Sequence, residues 1–428
     1  MSASLRQSYE NIDFGELAEY FPPLRPFLFE NKTGGFNLDF KNDAANRTLT
    51  RALLKRDFGL EVTLLKDRLC PPVPNRLNYV IWITDLVKVT SPDDNIVGLD
   101  IGTGSTAIYP LLACSIHKNW HFLATDIDKT SLATAAINIQ QNPKLKARVR
   151  LLSTTQDAPI LSLLLPEALA QLLGPELRRP PVAFSMCNPP FYSDIEEVSR
   201  SANNKSTDPH AVCTGALVEM ITPGGEAAFV RQMIDESIGL QDACGWYTSL
   251  LGKMSSLAAL VDVLREKGID NYAITELIQG TTRRWVIAWS FLDVRLPDTL
   301  ARPQSQSLRS IAPPPNTLRH SIFDPNSRPL THNAIIRVLT DVPKLRYEEL
   351  QDPKRVRAIA YEVTWTRAAR RRLARNPPED MMIDDKSTPV VVSEISVIDE
   401  HTLEISWIRG KDRGVFVSFW GFLSGKLT

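Results

Sequence analysis

The sequence has little of several features that mark common protein classes. Its 428 residues carry 49 basic and 49 acidic side chains, so the formal net charge is zero. Overall charge therefore gives no indication of nucleic-acid binding, and any RNA-binding surface must come from local clustering of basic residues. No apolar run reaches the length of a transmembrane helix, so we expect no membrane association.

Residues suited to metal binding are also few. The five cysteines include no Cys-x-x-Cys pair, which argues against a zinc ribbon. The six histidines are scattered, and His117 and His121 span the start of a predicted strand, which favours packing or surface roles. We therefore expect no metal site. Because no cleavable apolar segment opens the chain, the cysteine pattern predicts a reducing compartment.

What the sequence does contain is a strand, a glycine turn and a helical pattern in succession. The apolar run at residues 96–99 leads into Asp100, Gly102 and Gly104, and apolar residues at helical spacing follow at 107–112. Glycines let the backbone approach a ligand closely, and a helix N-terminus offers unpaired N–H groups. The segment therefore predicts a ligand-binding turn at the end of a strand.

A second predicted strand, residues 121–125, ends at Asp126, and a helix is predicted over residues 131–142. Asp126 is placed to accept both hydroxyls of a ribose, whereas Asp128 could equally cap the helix. Gly-x-Gly followed by such an acid fits any nucleoside cofactor on a doubly wound sheet. Ala107 stands where a dinucleotide site has its third glycine, and that motif permits alanine, so a nicotinamide cofactor stays open here.

A third predicted strand, Val182–Cys187, ends in Asn188-Pro189-Pro190-Phe191, called here the catalytic turn. The side-chain carbonyl of Asn188 and a proline backbone carbonyl can each accept a hydrogen bond from an exocyclic amine. The two prolines fix φ and lack N–H groups, so the turn is stiff. Phe191 can stack on the base that carries the amine. The turn therefore predicts a cradle for a planar amine, on the same sheet edge as the glycine turn.

With these three segments the chain resembles S-adenosylmethionine-dependent adenine-N6 RNA methyltransferases, and more narrowly the U6 small nuclear RNA methyltransferase family. The motifs that carry the resemblance are residues 100–104, 124–128 and 187–191. The similarity covers roughly residues 15–295 and includes further matches at residues 38–41, 53–60, 73–79, 246–247, 251–253 and 279–285. Tyr192 is a mild departure, because the family commonly has two phenylalanines there.

The resemblance implies S-adenosylmethionine as the cofactor and a role for each matched residue. The implied catalytic residues are Asn188, Pro189, Pro190 and Phe191. The implied cofactor-binding residues are Arg76, Asp100, Gly102, Gly104, Asp126, Thr155 and Asn188. The implied RNA-binding residues are Lys41, Arg47, Lys55, Arg283 and Arg284. The family also uses a gate loop over the cofactor, here residues 153–159, although its usual basic residue is not evident.

The implied fold is α/β: a Rossmann-like class I methyltransferase with an N-terminal extension and a small C-terminal α+β module. We expect an RNA-binding segment at 1–90, the catalytic domain at 91–295, a Pro/Ser-rich linker at 296–334 and an accessory module at 335–428. A helix begins at the Asn42 cap and ends before Gly59, and residues 193–215 are predicted as a polar substrate loop. In the accessory module a strand is predicted at 361–366 and an arginine-rich helix at 366–375.

The expected activity is methylation of a flipped-out adenosine in structured RNA, with U6 small nuclear RNA as the partner. This substrate implies a nuclear location, with the cytoplasm as a second location. Two alternatives stay open within RNA biology: a large-subunit ribosomal RNA adenine-N6 methyltransferase, and a splicing factor that binds RNA without methylating it. A protein-glutamine methyltransferase is a further alternative, because a side-chain amide also fits an Asn-Pro-Pro-aromatic cradle.

Overall fold

The computed structural model describes residues 9, 12–31, 34–91, 94–176, 179–204, 215–321, 329–351, 355–375 and 387–427. The chain divides into two compact units. The first comprises Met1–Phe291 with Pro303–Ile311, and the second comprises Leu292–Arg302 with Ala312–Thr428. The described residues before the sheet belong to the same compact unit as the sheet, and the RNA-binding role expected for 1–90 stays a prediction.

The first unit begins with short elements and two long helices: α1 (Phe14–Tyr20), β1 (Leu28–Glu30), β2 (Phe36–Leu38), α2 (Asp43–Phe58) and α3 (Val73–Thr90). The predicted cap of α2 is confirmed, because the Asn42 side chain accepts hydrogen bonds from the backbone of Ala44 and Ala45. Gly59 ends the helix at φ 66°, a left-handed conformation that glycine adopts without steric cost.

A seven-stranded sheet forms the centre of this unit. Its strands are β3 (Ile96–Ile101), β4 (Trp120–Asp126), β5 (Val149–Ser153), β6 (Val182–Cys187), β7 (Cys244–Leu251), β8 (Tyr272–Gln279) and β9 (Thr282–Trp289). Their spatial order is β5-β4-β3-β6-β7-β9-β8. The five strands from β5 to β7 are parallel, and β9 is antiparallel to both β7 and β8. All eight residues of β7 are buried, as expected for a strand with covered faces.

The helices that alternate with these strands follow in chain order: α4 (Ile108–Ile116), α5 (Lys129–Gln141), α6 (Pro166–Leu173), α7 (Ile195–Asn204), α8 (Leu217–Met220), α9 (Gly225–Leu240) and α10 (Met254–Glu266). This arrangement is the Rossmann-like α/β fold that the sequence predicts. The strand order changes direction at β3, so the carboxyl ends of β3 and β6 form a topological switch point, where ligands bind in such sheets.

Polar contacts tie the N-terminal extension to α5. The backbone N–H groups of Glu61 and Thr63 donate to the side chains of Asn142 and Asn138, at 3.1 and 2.7 Å. The Arg68 guanidinium, which is almost fully buried, donates to the Asp128 carboxylate at 2.8 Å. These buried contacts satisfy polar groups that would otherwise lose their hydrogen bonds to water.

The second unit contains an antiparallel five-stranded sheet of order β10-β14-β13-β12-β11. Its elements are α11 (Asp298–Ala301), β10 (Thr317–Ser321), α12 (His332–Thr340), β11 (Leu345–Glu349), β12 (Arg355–Ala360), α13 (Arg367–Arg375), β13 (Val391–Asp399), β14 (Thr402–Arg409) and α14 (Arg413–Leu427). Ile335 of α12 and Phe416 and Phe419 of α14 are fully buried in a core with Ile395 and Ile405 of the sheet. The unit has the predicted α+β composition.

Three expectations about loops and strands are wrong in part. The linker expected at 296–334 contains β10, an edge strand whose Thr317 pairs with Ser406. The strand expected at 361–366 lies six residues earlier, as β12. Trp365 is buried but lies outside any strand, with its ring centre 4.8 Å from that of Phe419. The polar loop expected at 193–215 includes helix α7, whereas residues 205–214 lie outside the described residues.

Within the described ranges, no helix is long and apolar enough to cross a membrane. Nor does the described part of the chain bring together three or more histidine, cysteine, aspartate or glutamate side chains that could hold a metal ion.

Candidate active site

The parallel register of the sheet brings the glycine turn and the catalytic turn together. Ile101, the last residue of β3, pairs with Cys187, the last residue of β6. The chain leaves these neighbouring strand ends as Gly102 on one side and Asn188 on the other. The sequence-based prediction that the two motifs share one sheet edge is therefore confirmed.

The glycine turn has the backbone geometry that its sequence requires. Gly102 and Gly104 have φ values of 69° and 65°, which residues with a Cβ adopt only at a cost. Between them, the Thr103 N–H donates to the Thr125 carbonyl at 2.8 Å. The turn is thus folded back onto the end of β4, with α4 beginning immediately after it.

Asp126 holds this turn in place. Its Oδ2 accepts a hydrogen bond from the Gly104 N–H at 2.8 Å, and its Oδ1 accepts one from the Asp128 N–H at 2.9 Å. Burial raises the pKa of Asp126, and these hydrogen bonds oppose the rise. Each carboxylate oxygen keeps a second acceptor position for a ribose hydroxyl. Asp128 accepts a hydrogen bond from the Ser131 N–H and so caps α5. Of the two roles that the sequence allowed for Asp128, helix capping is the observed one.

Asp100 is a fully buried acid at the end of β3. It is 0% exposed, and within the described residues neither of its carboxylate oxygens has a hydrogen-bond partner of good geometry, although the nearby Thr103 side chain acts to lower its pKa. Burial raises the pKa of Asp100 to about 7. A buried, unpaired carboxylate is costly to maintain, which indicates that its partner is a cationic or hydrogen-donating ligand.

Arg76 of α3 brings a positive charge to the same place. Its Nη1 donates to the Tyr109 hydroxyl at 2.9 Å, and its buried Nε has no partner within the described residues. The Arg76 charge also acts on Asp100, where it opposes the rise in pKa. Arg76, which the sequence taken alone assigns to a loop, lies in helix α3 instead. Its charge reaches Asp100 at the glycine turn, and its Nε is available to an anionic group.

The catalytic turn presents an acceptor of the kind that the sequence predicts. The Asn188 Oδ1 is buried and has no hydrogen-bond partner within the described residues. The turn continues into Tyr192, whose N–H donates to the Met220 carbonyl at 2.9 Å and whose carbonyl accepts from the Thr222 N–H at 3.0 Å. The half-buried Phe191 ring packs against Gly252, where an added methyl group would lie 3.1 Å from Cδ1.

Three charged residues at the catalytic turn were assigned no role from the sequence: Lys253, Glu197 and Glu226. Lys253 donates from Nζ to the Phe191 carbonyl at 3.3 Å and forms an ion pair with Glu197. Glu226 is 1% exposed and accepts hydrogen bonds from the backbone N–H groups of Gly252 and Lys253. A glutamate placed directly after Gly224-Gly225, at the start of a helix, was a signal that could have identified Glu226.

Glu219 of α8 was also missed. Its Oε2 accepts hydrogen bonds from the N–H groups of Leu69 and Ala216, at 3.0 and 3.1 Å. Its other oxygen lies next to the glycine turn, 3.8 Å from where a Cβ on Gly104 would be. Burial raises the pKa of Glu219. This carboxylate therefore adds to the negative charge around the turn.

The gate-loop residues lie at the end of β5. The Thr154 N–H donates to the Asp126 carbonyl at 3.1 Å, which fixes the loop to the end of β4. Thr155 is exposed, and its carbonyl accepts from the Ala158 N–H at 3.2 Å. Thr154, the other residue of this loop that could contact the adenine, is therefore the one that bonds to the backbone of the predicted ribose acid. A contact between Thr155 and the cofactor stays a prediction.

The two adjacent arginines of β9 point in different directions. Arg283 is exposed and pairs with Glu276 of β8 at 3.1 Å. Arg284 is half-buried; burial lowers its pKa, the charge of Arg76 lowers it further, and Glu226 opposes this shift. Consecutive strand residues face opposite sides of a sheet, so only one of the pair can face the site. Arg284 is that residue.

The predicted basic residues of the N-terminal region lie on or before α2. Arg47 pairs with Asp43 and Lys55 pairs with Glu61 in ion pairs. Lys41 is exposed just before the helix cap. Arg47 and Lys55 are eight residues apart and therefore share one helix face. Their roles in RNA binding stay predictions, and RNA phosphates would have to compete with these carboxylates.

The donor set at the strand ends fits S-adenosylmethionine. This cofactor carries an ammonium group, a carboxylate and a ribose, and the site offers an unpartnered buried carboxylate, an arginine donor and the Asp126 acceptor positions. The glycine turn, the acid after β4 and the Asn-Pro-Pro-Phe turn after β6 together define a class I S-adenosylmethionine-dependent methyltransferase site.

Comparisons with known proteins agree with this class. Residues 2–293 match the RNA methyltransferase family. The chain is 37% identical over 407 residues to the U6 small nuclear RNA (adenine-(43)-N(6))-methyltransferase of Schizosaccharomyces pombe, with 94% of this chain and 97% of the relative covered. It is 31% identical to the RNA N(6)-adenosine-methyltransferase METTL16 of Homo sapiens, with 96% of this chain and 66% of the relative covered.

Solved structures give the same result. The catalytic domain of human METTL16 in complex with MAT2A 3'UTR hairpin 1 matches with a TM-score of 0.60 at 36% identity, covering 69% of this chain and 96% of that one. The N-terminal domain of human METTL16 in complex with SAH matches with a TM-score of 0.54 at 34% identity, covering 66% and 95%. The chain belongs to the RNA methyltransferase family.

Proposed function

We propose that this protein methylates N6 of an adenosine in a structured RNA, with U6 small nuclear RNA as its preferred substrate. It is an S-adenosylmethionine-dependent RNA adenine-N6 methyltransferase. The observation that carries the mechanism is the buried Asn188 Oδ1, which has no partner in the part of the chain that the structure describes and lies at the strand end next to that of Asp100. The choice of RNA is supported by the relative of Schizosaccharomyces pombe, which is named for its action on U6 and is similar over nearly its whole length.

The residues of the glycine turn would hold the cofactor. Asp100, at the turn, would receive the ammonium group, Arg76 the carboxylate and Asp126 the ribose hydroxyls. Gly102 and Gly104 allow the backbone to approach closely, and Thr155 would contact the adenine side of the cofactor. When bound, S-adenosylmethionine supplies a methyl group activated by a sulfonium.

The catalytic turn would orient the acceptor. A conjugated amine is a poor nucleophile, so its two hydrogens must be held by acceptors that leave the lone pair free. Asn188 Oδ1 and a carbonyl of Pro189 or Pro190 supply these acceptors. Because the adenine must leave its stack to reach the turn, stacking on Phe191 would offset part of that cost, by roughly 1–3 kcal/mol. Positioning provides most of the catalysis, and the amine can lose its proton afterwards without a dedicated base.

A U6 substrate implies that the protein works in the nucleus, with the cytoplasm as a second location. The experiment that tests the function is incubation of the purified protein with labelled S-adenosylmethionine and one of three acceptors: transcribed U6, ribosomal RNA fragments or a protein release factor. We expect label in U6 as N6-methyladenosine. Label only in ribosomal RNA or only in protein would replace this assignment with the corresponding alternative. Tight U6 binding without any label would indicate a non-catalytic RNA-binding role.

The different directions of Arg283 and Arg284 give a separate prediction about the RNA side of the site. Arg284→Ala should weaken U6 binding about 3–10-fold and reduce its salt dependence, because a half-buried guanidinium facing the site can contact phosphate or base. Arg283→Ala is the matched control, one residue away, and should change affinity less than about 2-fold because Arg283 pairs with Glu276. Fluorescence anisotropy at two salt concentrations measures both. Equal losses for the two variants would contradict the assignment of Arg284 to the site.

A further inference from the structure

The side chain of Lys253 connects three groups around the catalytic turn. Its Nζ donates to the Phe191 carbonyl at 3.3 Å, forms an ion pair with Glu197 and lies 5.8 Å from the centre of the Tyr192 ring. The Lys253 side chain is 39% exposed and that of Glu197 is 27% exposed, so both are partly withdrawn from water. One ammonium thus contacts the last residue of the turn, its aromatic neighbour and a carboxylate of the next helix.

The backbone of Lys253 is fixed as firmly as its ammonium group. Lys253 follows β7 and precedes α10, and its N–H donates to Glu226 Oε1 at 2.9 Å. The preceding N–H, of Gly252, donates to the other oxygen of Glu226 at 2.7 Å. A buried carboxylate that accepts two backbone hydrogen bonds is a strong anchor. The side chain therefore runs from a fixed point at the end of β7 to the catalytic turn.

The composition of the catalytic turn explains why it needs a donor from elsewhere. Pro189 and Pro190 have no N–H groups, so the turn cannot be closed by hydrogen bonds from those two residues. Lys253 Nζ provides a donor to the Phe191 carbonyl from outside the turn. This carbonyl belongs to the peptide group that joins Phe191 to Tyr192, whose N–H donates to the Met220 carbonyl at 2.9 Å. The two hydrogen bonds hold both ends of that peptide group and so fix the end of the turn that carries Phe191.

Glu197 extends the arrangement into α7. Its second oxygen accepts hydrogen bonds from the Ser193 N–H at 2.8 Å and the Ser193 hydroxyl at 3.0 Å. The hydrogen bond from Lys253 is the largest cause that lowers the pKa of Glu197 to about 2, so this carboxylate is ionised at neutral pH. Glu197 therefore keeps the ammonium in place while it fixes the residue that follows Tyr192.

We propose that Lys253, held by Glu197 and Glu226, is a positioning residue that sets the orientation of the catalytic turn toward the methyl acceptor. This inference rests on the proposed function of Asn188 and Phe191. Lys253 is assigned no contact with the cofactor or with the reacting atoms. Its loss should therefore reduce the rate of the chemical step more than it reduces binding of either substrate.

The test compares Lys253→Met, Lys253→Arg and Glu197→Gln with the unmodified full chain, using U6 RNA and S-adenosylmethionine. We expect Lys253→Met to lower kcat about 10–100-fold, because small misplacements of reacting groups reduce rates strongly. The Kd for the cofactor, measured by calorimetry, and the KM for RNA should each change less than about 3-fold. Lys253→Arg, which keeps a cationic donor, should recover most of the rate. Combining Lys253→Met with Glu197→Gln should add little to the loss, as for residues that act as a unit.

Lys267 provides the matched control, because it also forms an ion pair with a carboxylate of the first unit, that of Asp235, at 2.6 Å. Lys267→Met should leave kcat unchanged. An unchanged kcat in Lys253→Met would overturn the proposal, as would equal losses in the methionine and arginine variants. If Lys253→Met fails to fold or to bind cofactor, Glu197→Gln decides: a lower kcat with an unchanged cofactor Kd supports the proposal, and an unchanged kcat overturns it.

Asn188→Ala separates this inference from the function on which it rests. If Asn188→Ala keeps normal turnover, the proposed role of the catalytic turn is wrong and no positioning role for Lys253 follows. If Asn188→Ala is inactive while Lys253→Met turns over normally, the turn is confirmed as the acceptor site and only the inference about Lys253 is wrong.

Discussion

Asn188→Ala is expected to abolish methyl transfer while leaving cofactor binding largely intact. The Asn188 Oδ1 is buried at the end of β6 and has no partner within the described residues, so it is available to the exocyclic amine of the acceptor. Losing one preorganised hydrogen bond in a site that excludes water costs about 2.7–4 kcal/mol, or about 10²–10³ in rate. The backbone of the glycine turn and the Asp100 carboxylate are unchanged in this variant. Single-turnover methylation of U6 and calorimetric titration with S-adenosylmethionine measure the two effects separately.

The conservative variant Asn188→Asp is the control for loss of the acceptor. It keeps an oxygen of similar reach, so it should retain more activity than alanine although it adds a charge. The circular dichroism spectrum and the Tm of both variants should match those of the unmodified protein, because within the described residues Oδ1 accepts no hydrogen bond that would stabilise the fold. Normal turnover by Asn188→Ala would contradict the assignment of the catalytic turn.

The parts of this site that could be predicted from sequence are those set by local rules. An apolar run of strand length followed by Gly102 and Gly104 predicts a strand and a turn, and both glycines do adopt positive φ. An Asn-Pro-Pro-Phe sequence after another apolar run predicts a second strand end. Because parallel strands in such a sheet end at one edge, the two motifs were expected to meet, and the pairing of Ile101 with Cys187 confirms it.

Contacts between distant segments could not be predicted in this way. Lys253 and Phe191 are 62 residues apart, and no local pattern indicates that this lysine donates to that carbonyl. The edge strand β10 was assigned to a linker for the same reason: its segment is rich in proline and polar residues, and its partner strand lies more than 80 residues away. In both cases tertiary pairing determines the structure, and local propensity gives no signal.

The start of the last strand of the sheet was predicted too late. Residues 285–292 were expected to form it, with Arg283 and Arg284 before it and both in contact with RNA, whereas β9 begins at Thr282. Because neighbouring residues of a strand face opposite sides, β9 separates Arg283, which pairs with Glu276, from Arg284. The strand predicted at 361–366 lies instead at Arg355–Ala360, and the buried Trp365 contacts Phe419 from outside any strand.

Asp100→Asn is expected to weaken S-adenosylmethionine binding about 10–100-fold without destabilising the free protein. A hydrogen bond to a charged group contributes about 1.5–3 kcal/mol, and asparagine keeps the shape of the side chain while it removes the charge. In the free protein, both carboxylate oxygens of Asp100 are buried without partners within the described residues, so removing the charge removes a desolvation cost. Calorimetric titration gives the Kd, and thermal unfolding should show an equal or higher Tm.

The pKa of Asp100 makes this prediction dependent on pH. Burial raises the pKa from its ordinary value of 3.8 to about 7, so the folded protein keeps a proton that the unfolded chain releases. The free energy of unfolding contributed by this group therefore falls as pH rises from about 4 to about 7, and it is constant above that range. The cationic cofactor binds the ionised form, so its affinity should rise over the upper part of the same range and level off above about pH 7.

Asp100→Asn should remove most of the pH dependence of the free energy of unfolding and of the cofactor affinity. This result distinguishes titration of Asp100 from titration of Asp126. The pKa of Asp126 is also raised by burial, but its oxygens already accept hydrogen bonds from Gly104 and Asp128, and this carboxylate is retained in the variant. A variant that binds cofactor as tightly as the unmodified protein at about pH 8 would show that Asp100 is not the cofactor ligand. A variant that binds weakly but keeps the full rise in affinity with pH would assign that titration to Asp126.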